Sequence, residues 1–318
     1  MRVAFLGNDP WSVAPLRALA EADDVDVVLV VTNPPRPAGR GSRLTPTAVA
    51  DAARELDLPP LEVDRVRDGE GFDALSELQP DAFVVVAYGE ILAPDVLDIP
   101  RLGAINVHFS LLPRWRGAAP VQHAVLAGDE VTGVTVMLMD EGMDTGPILT
   151  TEETRIAPDE DAGTLGARLA ELGAALLVDT LRGFDAGTIE PTSQDHTAAS
   201  FAPKLKPEDR TIDWESAAEA IVRKVRAFGP DPGASTTFRG QPLKVVRAGV
   251  QEVHGSMLAD AGLIHPGDAS VGPQGGILVG AGSSSRVELL EVAPTGRKRM
   301  NAADWARGAR LQRGERLG

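Results

Sequence analysis

Two hydrophobic periods alternate along the first half of this chain, and that alternation restricts its fold more than any other feature. The β-branched segment Val25–Thr32 reads as a buried parallel strand, since strands covered on both faces need little polar alternation. Further strand signals fall at Arg2–Gly7, Phe83–Ala87, Ala104–His108 and Thr132–Met139. Helical spacing marks Val13–Ala22, Thr47–Leu56 (with Thr45 or Thr47 as N-cap), Ala119–Leu126 and Ala162–Leu181. Strands and helices taken in turn predict an α/β domain with a doubly wound, mostly parallel sheet, its helices on both faces.

After Gly187 the pattern stops. Ile189–Glu208 is polar, contains proline and keeps no period, so it reads as a linker. One helix follows at Ser216–Ala227, with Glu215 or Ser216 as its cap. Short strands broken by glycine and proline come next, at Ala234–Phe238, Leu243–Ala248, Gly262–Ile264, Ile277–Val279 and Val287–Val292. They predict a smaller OB-like β-barrel, a sandwich being the alternative that short strands alone also fit. The expected organisation is a catalytic domain over 1–188, a linker over 189–208 and a barrel domain over 209–318.

Charge separates the two halves. The net charge of the 318 residues is −15, but residues 1–208 carry −18 and residues 209–318 carry +3. The stretch Arg297–Arg316 sets seven basic residues, Arg297, Lys298 and Arg299 among them, against Asp304 and Glu315. Such asymmetry points to a polyanion partner for the second half, the plain alternative being a solvated basic helix. Cysteine is absent, which excludes disulfides, thiolate metal sites and cysteine nucleophiles. Apolar runs are too short to cross a bilayer, and Met1–Gly7 enters a strand without a signal peptide's layout. A cytoplasmic protein with no membrane contact is the simplest expectation. The first turn, Gly7-Asn-Asp-Pro-Trp-Ser12, has one of the three glycines a dinucleotide fingerprint needs, and no Walker-type loop occurs.

The residues able to do chemistry gather near one strand end. In Ala104–His108 the period of two puts Asn106 and His108 on one face, and ligands of open α/β sheets sit at the carboxyl ends of strands. Asp144 lies in the turn Asp140-Glu-Gly-Met-Asp-Thr-Gly146 after the next strand. If those strands are neighbours, this carboxylate would hold the imidazole; Asp140 and Glu141 are competitors, and either would otherwise cap the turn. The loop Ser110-Leu-Leu-Pro-Arg-Trp-Arg-Gly117 suits a wall for a flat ligand, a surface loop being the alternative. A second loop, Arg36-Pro-Ala-Gly-Arg-Gly-Ser-Arg43, has three arginines, Arg36, Arg40 and Arg43, and no acid, as phosphate binding requires.

Together these segments resemble the methionyl-tRNA formyltransferase family, within the folate-dependent formyltransferase superfamily. The resemblance also takes in Val85-Val-Ala-Tyr-Gly89, Ile212-Asp-Trp214, Arg226-Ala-Phe228 and Pro294-Thr-Gly-Arg-Lys-Arg-Met300, so it spans nearly the whole chain. It implies transfer of a formyl group from 10-formyltetrahydrofolate to the α-amino group of methionine on initiator methionyl-tRNA, with no metal needed; nothing in the sequence demands more than a monomer. On that resemblance Asn106, His108 and Asp144 match the catalytic triad. Ser110, Leu111, Leu112 and Pro113 match the folate signature, and Val86, Tyr88 and Asp140 join them as cofactor-binding residues. Arg36, Arg40, Arg43, Arg297, Lys298 and Arg299 would meet the tRNA. Phe109 departs from the pattern, which has a small residue there. It would pack on the strand face opposite His108, or else narrow the folate slot.

Overall fold

A computed structural model describes residues 1–38, 42–251, 265–272 and 275–318. Arg40 and the strand expected at Gly262–Ile264 lie outside the described residues. The chain divides into two compact units. The first comprises Met1–Pro120, Val131–Arg155 and Gly166–Lys204, and the second Val121–Glu130, Ile156–Leu165 and Leu205–Gly318. Residues 189–204, linker-like in sequence, thus belong to the first unit.

The first unit is built on a seven-stranded sheet. In chain order its strands are β1 (Arg2–Gly7), β2 (Asp26–Thr32), β5 (Pro60–Glu62), β6 (Ala82–Val86), β7 (Ala104–His108), β8 (Val131–Leu138) and β9 (Ile148–Arg155). In space the order is β5-β2-β1-β6-β7-β8-β9. Pairings from β5 to β7 are parallel, while β7–β8 and β8–β9 are antiparallel. All five residues of β6 are buried, as a strand covered on both faces requires. One face buries Ala4, Leu6, Val31, Phe83, Val85 and Ala104 in a single core. Beyond the expected helices stand α3 (Gly69–Leu78) and α4 (Pro94–Leu97). Helix α2 (Ala48–Glu55) is capped by Thr47, whose hydroxyl accepts from the Ala50 N–H at 3.0 Å. A short antiparallel hairpin, β3 (Arg36–Ala38) with β4 (Arg43–Thr45), carries the basic loop.

The second unit is antiparallel. Strands β10 (Ala234–Phe238), β11 (Gln241–Val250), β12 (Asp268–Val271), β13 (Ile277–Gly280), β14 (Arg286–Pro294) and β16 (Glu315–Arg316) follow the order β10-β11-β14-β13-β12-β16, with β15 (Met300–Asn301) on β14. The sheet curls until its edges meet. Leu317, just past β16, bridges to Phe238 at the end of β10, and Gly318 N–H donates to the Thr237 carbonyl. Inside lie Trp214, Ile221, Val245, Ile277, Val287, Val292 and Trp305. Helix α7 (Ala218–Ala227) starts without a cap from Glu215 or Ser216. Its Ala218 N–H is satisfied instead by the Ser285 hydroxyl at 2.8 Å, a partner 67 residues away that no local pattern reveals. The basic tail is not a bare solvated run: α8 (Ala302–Ala309) buries Ala302, Trp305 and Ala306.

Candidate active site

Strand β7 delivers Asn106 and His108 to one face by its period of two, with Asn106 half-buried and His108 only 6% exposed. The imidazole is held on both edges. Its Nε2 lies 3.0 Å from the Trp115 carbonyl, and its Nδ1 is 3.7 Å from Asp144 Oδ2. The sequence expectation that the end loops of two neighbouring strands bring these groups together needs correction. Because β8 runs antiparallel to β7, with His108 opposite Thr135 and Ile105 opposite Leu138, the loop after β8 departs beside the start of β7. Residues 140–146 must therefore fold back to reach the ring.

Three contacts fix that return. Gly117 N–H donates to Asp144 Oδ2 at 2.7 Å, and the Gln194 amide donates to the carbonyls of Asp144 (3.0 Å) and Gly146 (2.7 Å). Asp144 itself adopts a left-handed backbone, φ 53°, a conformation that costs a non-glycine residue of order 1–3 kcal/mol. Gln194 Oε1 in turn accepts from Arg116 Nη2 at 2.6 Å and Nε at 3.2 Å, and Arg116 Nη2 also meets His196 Nδ1 at 3.1 Å. Arg116 is 4% exposed and has no carboxylate among these partners. Its buried charge therefore meets the Gln194 amide oxygen and the His196 ring, and through Gln194 it braces the Asp144 turn. Gly117 has φ +123°, and a Cβ there would stand 2.6 Å from the Ala202 carbonyl, so the N–H that grips Asp144 depends on a glycine.

The loop expected to bind folate, Ser110–Pro113, is a rigid corner. Ser110 is fully buried, its hydroxyl donates to the Arg114 carbonyl at 2.7 Å, and its own carbonyl accepts from Thr135 Oγ1 at 2.7 Å. Thr135 Oγ1 also accepts the Leu112 N–H at 3.1 Å. Leu112 is buried, whereas Leu111 and Pro113 stay partly exposed and present an apolar edge. Val86 is buried and its carbonyl accepts from the Ser12 hydroxyl at 2.7 Å. Tyr88 packs into the core with Leu6, Val31 and Leu92; burial, and then the nearby Glu90 carboxylate, push its pKa up. Around it Ala87 and Gly89 are exposed with φ of 45° and 86°, so this strand end offers backbone rather than side chains. Such a donor and acceptor set suits a flat heterocycle bearing ring amides, as a pteridine does. Asp140 is exposed, and its Oδ1 closes its own loop by accepting from Gly142 N–H (2.9 Å) and Thr145 Oγ1 (2.6 Å).

Phe109 is 5% exposed and meets Trp11 edge-on, ring centroids 6.0 Å apart. A Cβ added at Gly173, on the helix α6 (Ala162–Asp185), would contact both Val107 and Phe109. The bulky ring thus fills the helix side of the sheet, opposite His108. Asn8, passed over in the first turn, ties strand ends together: its Oδ1 accepts from Thr32 Oγ1 (2.9 Å) and Asn33 N–H (2.7 Å), and its amide donates to the Tyr88 carbonyl.

The tRNA candidates are surface groups. Arg36 reaches Asp64 at 3.7 Å with both side chains exposed, and Arg43 has no acidic partner among the described residues. Arg297, Lys298 and Arg299 are exposed between β14 and β15, Arg299 lying 3.5 Å from Glu291. Among the described residues no group of three or more histidine and carboxylate side chains is placed to hold a metal ion, and no helix is long and apolar enough to cross a membrane.

Comparison with known proteins accounts for both units. Residues 1–181 match the formyl transferase family model and residues 204–310 match that of the formyl transferase C-terminal domain. Curated methionyl-tRNA formyltransferases of Streptomyces coelicolor and a Nocardioides species are 44% and 47% identical over 318 residues, covering 100% of this chain and 100% and 98% of theirs. The chain belongs to the methionyl-tRNA formyltransferase family. Among solved structures, HypX of Aquifex aeolicus in complex with tetrahydrofolic acid shares the fold, with TM-score 0.63 and 17% identity over 96% of this chain. The chain spans 47% of HypX. The enzyme is accordingly a folate-dependent formyltransferase. The sequence marks Arg116 only as part of the Ser110–Gly117 loop, and no signal of its own marks Gln194 or Asn8.

Proposed function

We propose that this enzyme formylates the α-amino group of methionine on initiator methionyl-tRNA through Asn106, His108 and Asp144, acting as a monomer in the cytoplasm. The observation that carries the assignment of roles is the approach of Asp144 Oδ2 to His108 Nδ1 on the face that Asn106 shares. Family membership across both units supports the choice of substrates.

10-Formyltetrahydrofolate supplies an activated formyl group, and the amine–carbon bond forms as the bond to folate N10 breaks. Asn106 donates its amide N–H to the formyl oxygen as negative charge develops there; an aimed donor of this kind is worth about 10²–10³ in rate. The Trp115 carbonyl holds the Nε2 edge of His108, which turns the Nδ1 edge toward the reacting groups. Asp144 faces that edge across 3.7 Å, longer than a direct hydrogen bond and suited to a shared proton carried by a bridging water. His108 and Asp144 thereby take the amine proton while the leaving N10 gains one, a contribution of roughly 10²–10⁴. Leu111 and Pro113 wall the pteridine, the backbone of residues 86–89 meets its polar edge, and Ser110 and Leu112 hold the corner. Asp140 keeps the loop closed. Arg36, Arg40 and Arg43 contact the acceptor end, and Arg297, Lys298 and Arg299 contact the tRNA from the second unit. In this reading residues 1–188 carry the chemistry, 189–208 join the parts, and 209–318 bind RNA.

The test is formyl transfer from 10-formyltetrahydrofolate to charged initiator tRNA, with elongator methionyl-tRNA and a free amino sugar as controls. Selective formylation of the initiator is expected. Equal activity on the amino sugar without RNA would overturn the substrate assignment.

A further inference from the structure

A cavity of about 310 Å³ opens in the second unit, lined among others by Phe238, Pro242, Arg297, Met300, Asp304 and Trp305. Its size is at the lower end of small-molecule sites, room for one ring-sized group. The aromatic part of the lining is rigid: Phe238 and Trp305 meet edge to face with centroids 5.2 Å apart, and Arg239 covers Phe238 at 4.7 Å. Charges around it are unevenly used. Arg239 is paired with Glu315, Arg299 with Glu291 and Arg307 with Asp304. Arg297, which lines the cavity, and Lys298 beside it in sequence have no acidic partner among the described residues.

A buried apolar side chain from a protein partner would fill such a space but leave two unpaired cations unexplained. A nucleotide uses both features. Unstacked RNA bases are held against aromatic groups and read at their polar edges, while arginine and lysine take the phosphate. We propose that this cavity receives a single unstacked base of the bound tRNA, with Arg297 on the adjoining phosphate and Gln241 at the base edge. The inference rests on the reading that the enzyme binds methionyl-tRNA, and adds to it a non-electrostatic, base-sized contact in the second unit.

Gly308 provides the test. It lines the cavity on α8, its φ is not positive, and a Cβ there meets nothing within 4 Å, so Gly308→Phe fills the space without a backbone clash. Replacing a helical glycine also favours the helix. Equilibrium binding of intact initiator tRNA is measured over a range of salt. Gly308→Phe should weaken binding roughly 5- to 150-fold, the range of one lost base stack, with the salt slope unchanged. Arg297→Ala should weaken binding and lower the slope by about one. If folded Gly308→Phe binds as tightly as wild type, or weakens only by changing the salt slope, the cavity holds no base. As an independent readout on the unaltered enzyme, the Trp305 indole N–H resonance should shift on titration with a single-stranded pentaribonucleotide, and a static resonance overturns the proposal. Failure of wild type to bind the tRNA at all would sink the substrate reading instead.

Discussion

Gln194→Glu separates positioning from folding at the Asp144 turn. The glutamine amide donates to the carbonyls of Asp144 and Gly146 at 3.0 and 2.7 Å, while its oxygen accepts twice from buried Arg116. Glutamate keeps the second set, now as an ion pair, and loses the first. Arg116 therefore stays matched, and the fold should survive with a melting temperature close to wild type. The turn loses two neutral hydrogen bonds, about 0.5–1.5 kcal/mol each, and gains an oxygen facing two carbonyls. A loss of about 1–3 kcal/mol from the closed turn corresponds to roughly a 5- to 150-fold fall in turnover, since each 1.36 kcal/mol is tenfold. The assay is steady-state formylation of charged initiator tRNA, in which kcat should fall while KM for the tRNA holds. Gln194→Ala is the contrasting case, because it also strips Arg116 and should lower stability by several kcal/mol. A folded Gln194→Glu enzyme with wild-type kcat would refute the idea that this amide places Asp144.

Gly117→Ala should cost at least tenfold in kcat, because the added methyl meets the Ala202 carbonyl and displaces the N–H that grips Asp144; unchanged turnover would mean that this contact is idle. Replacing Arg36 and Arg43 together by serine should reduce the salt slope of tRNA binding by roughly 1.5, and an unaltered slope would remove the hairpin from the interface. Asp24 is held down to about 2 by its hydrogen bonds from Arg182. Its folded pKa lies below the unfolded value, so the stabilisation is complete above that value and is lost as pH falls through the folded one. The melting-temperature gap between wild type and Arg182→Gln should shrink from about pH 6 to about pH 3, and a constant gap would contradict the pairing.

The sequence conveys buried structure well and edges poorly. Strands β2, β6 and β7 announce themselves because both faces are covered, which forces apolar residues at nearly every position. Strand β9, Ile148–Arg155, is an edge with mostly exposed side chains, and its sequence Ile-Leu-Thr-Thr-Glu-Glu-Thr-Arg gives no hydrophobic period to find. Asn106 and His108 are legible as a pair because strand geometry alone aligns them. Asp144 is legible as a carboxylate of the turn after β8, beside Asp140 and Glu141, but its approach to His108 depends on a fold-back of that turn which neighbouring strand ends do not convey. Gln194 and Arg116 are 78 residues apart, in a linker-like polar stretch and in the loop expected to wall a flat ligand, and only tertiary contacts join them. Helix α8 holds one arginine, Arg307; the basic residues that flank it mask the short apolar face formed by Ala302, Trp305 and Ala306.

The central claim is that Asn106 and the His108–Asp144 pair act on one formyl group. Its most direct measurement is the single-turnover rate of formyl transfer to charged initiator tRNA by Asn106→Ala and Asp144→Asn at saturating 10-formyltetrahydrofolate. The account predicts a fall of about 10²–10³ for Asn106→Ala and of roughly 10²–10⁴ for Asp144→Asn, with folate affinity preserved in both. Near-normal single-turnover rates in either folded variant would contradict it.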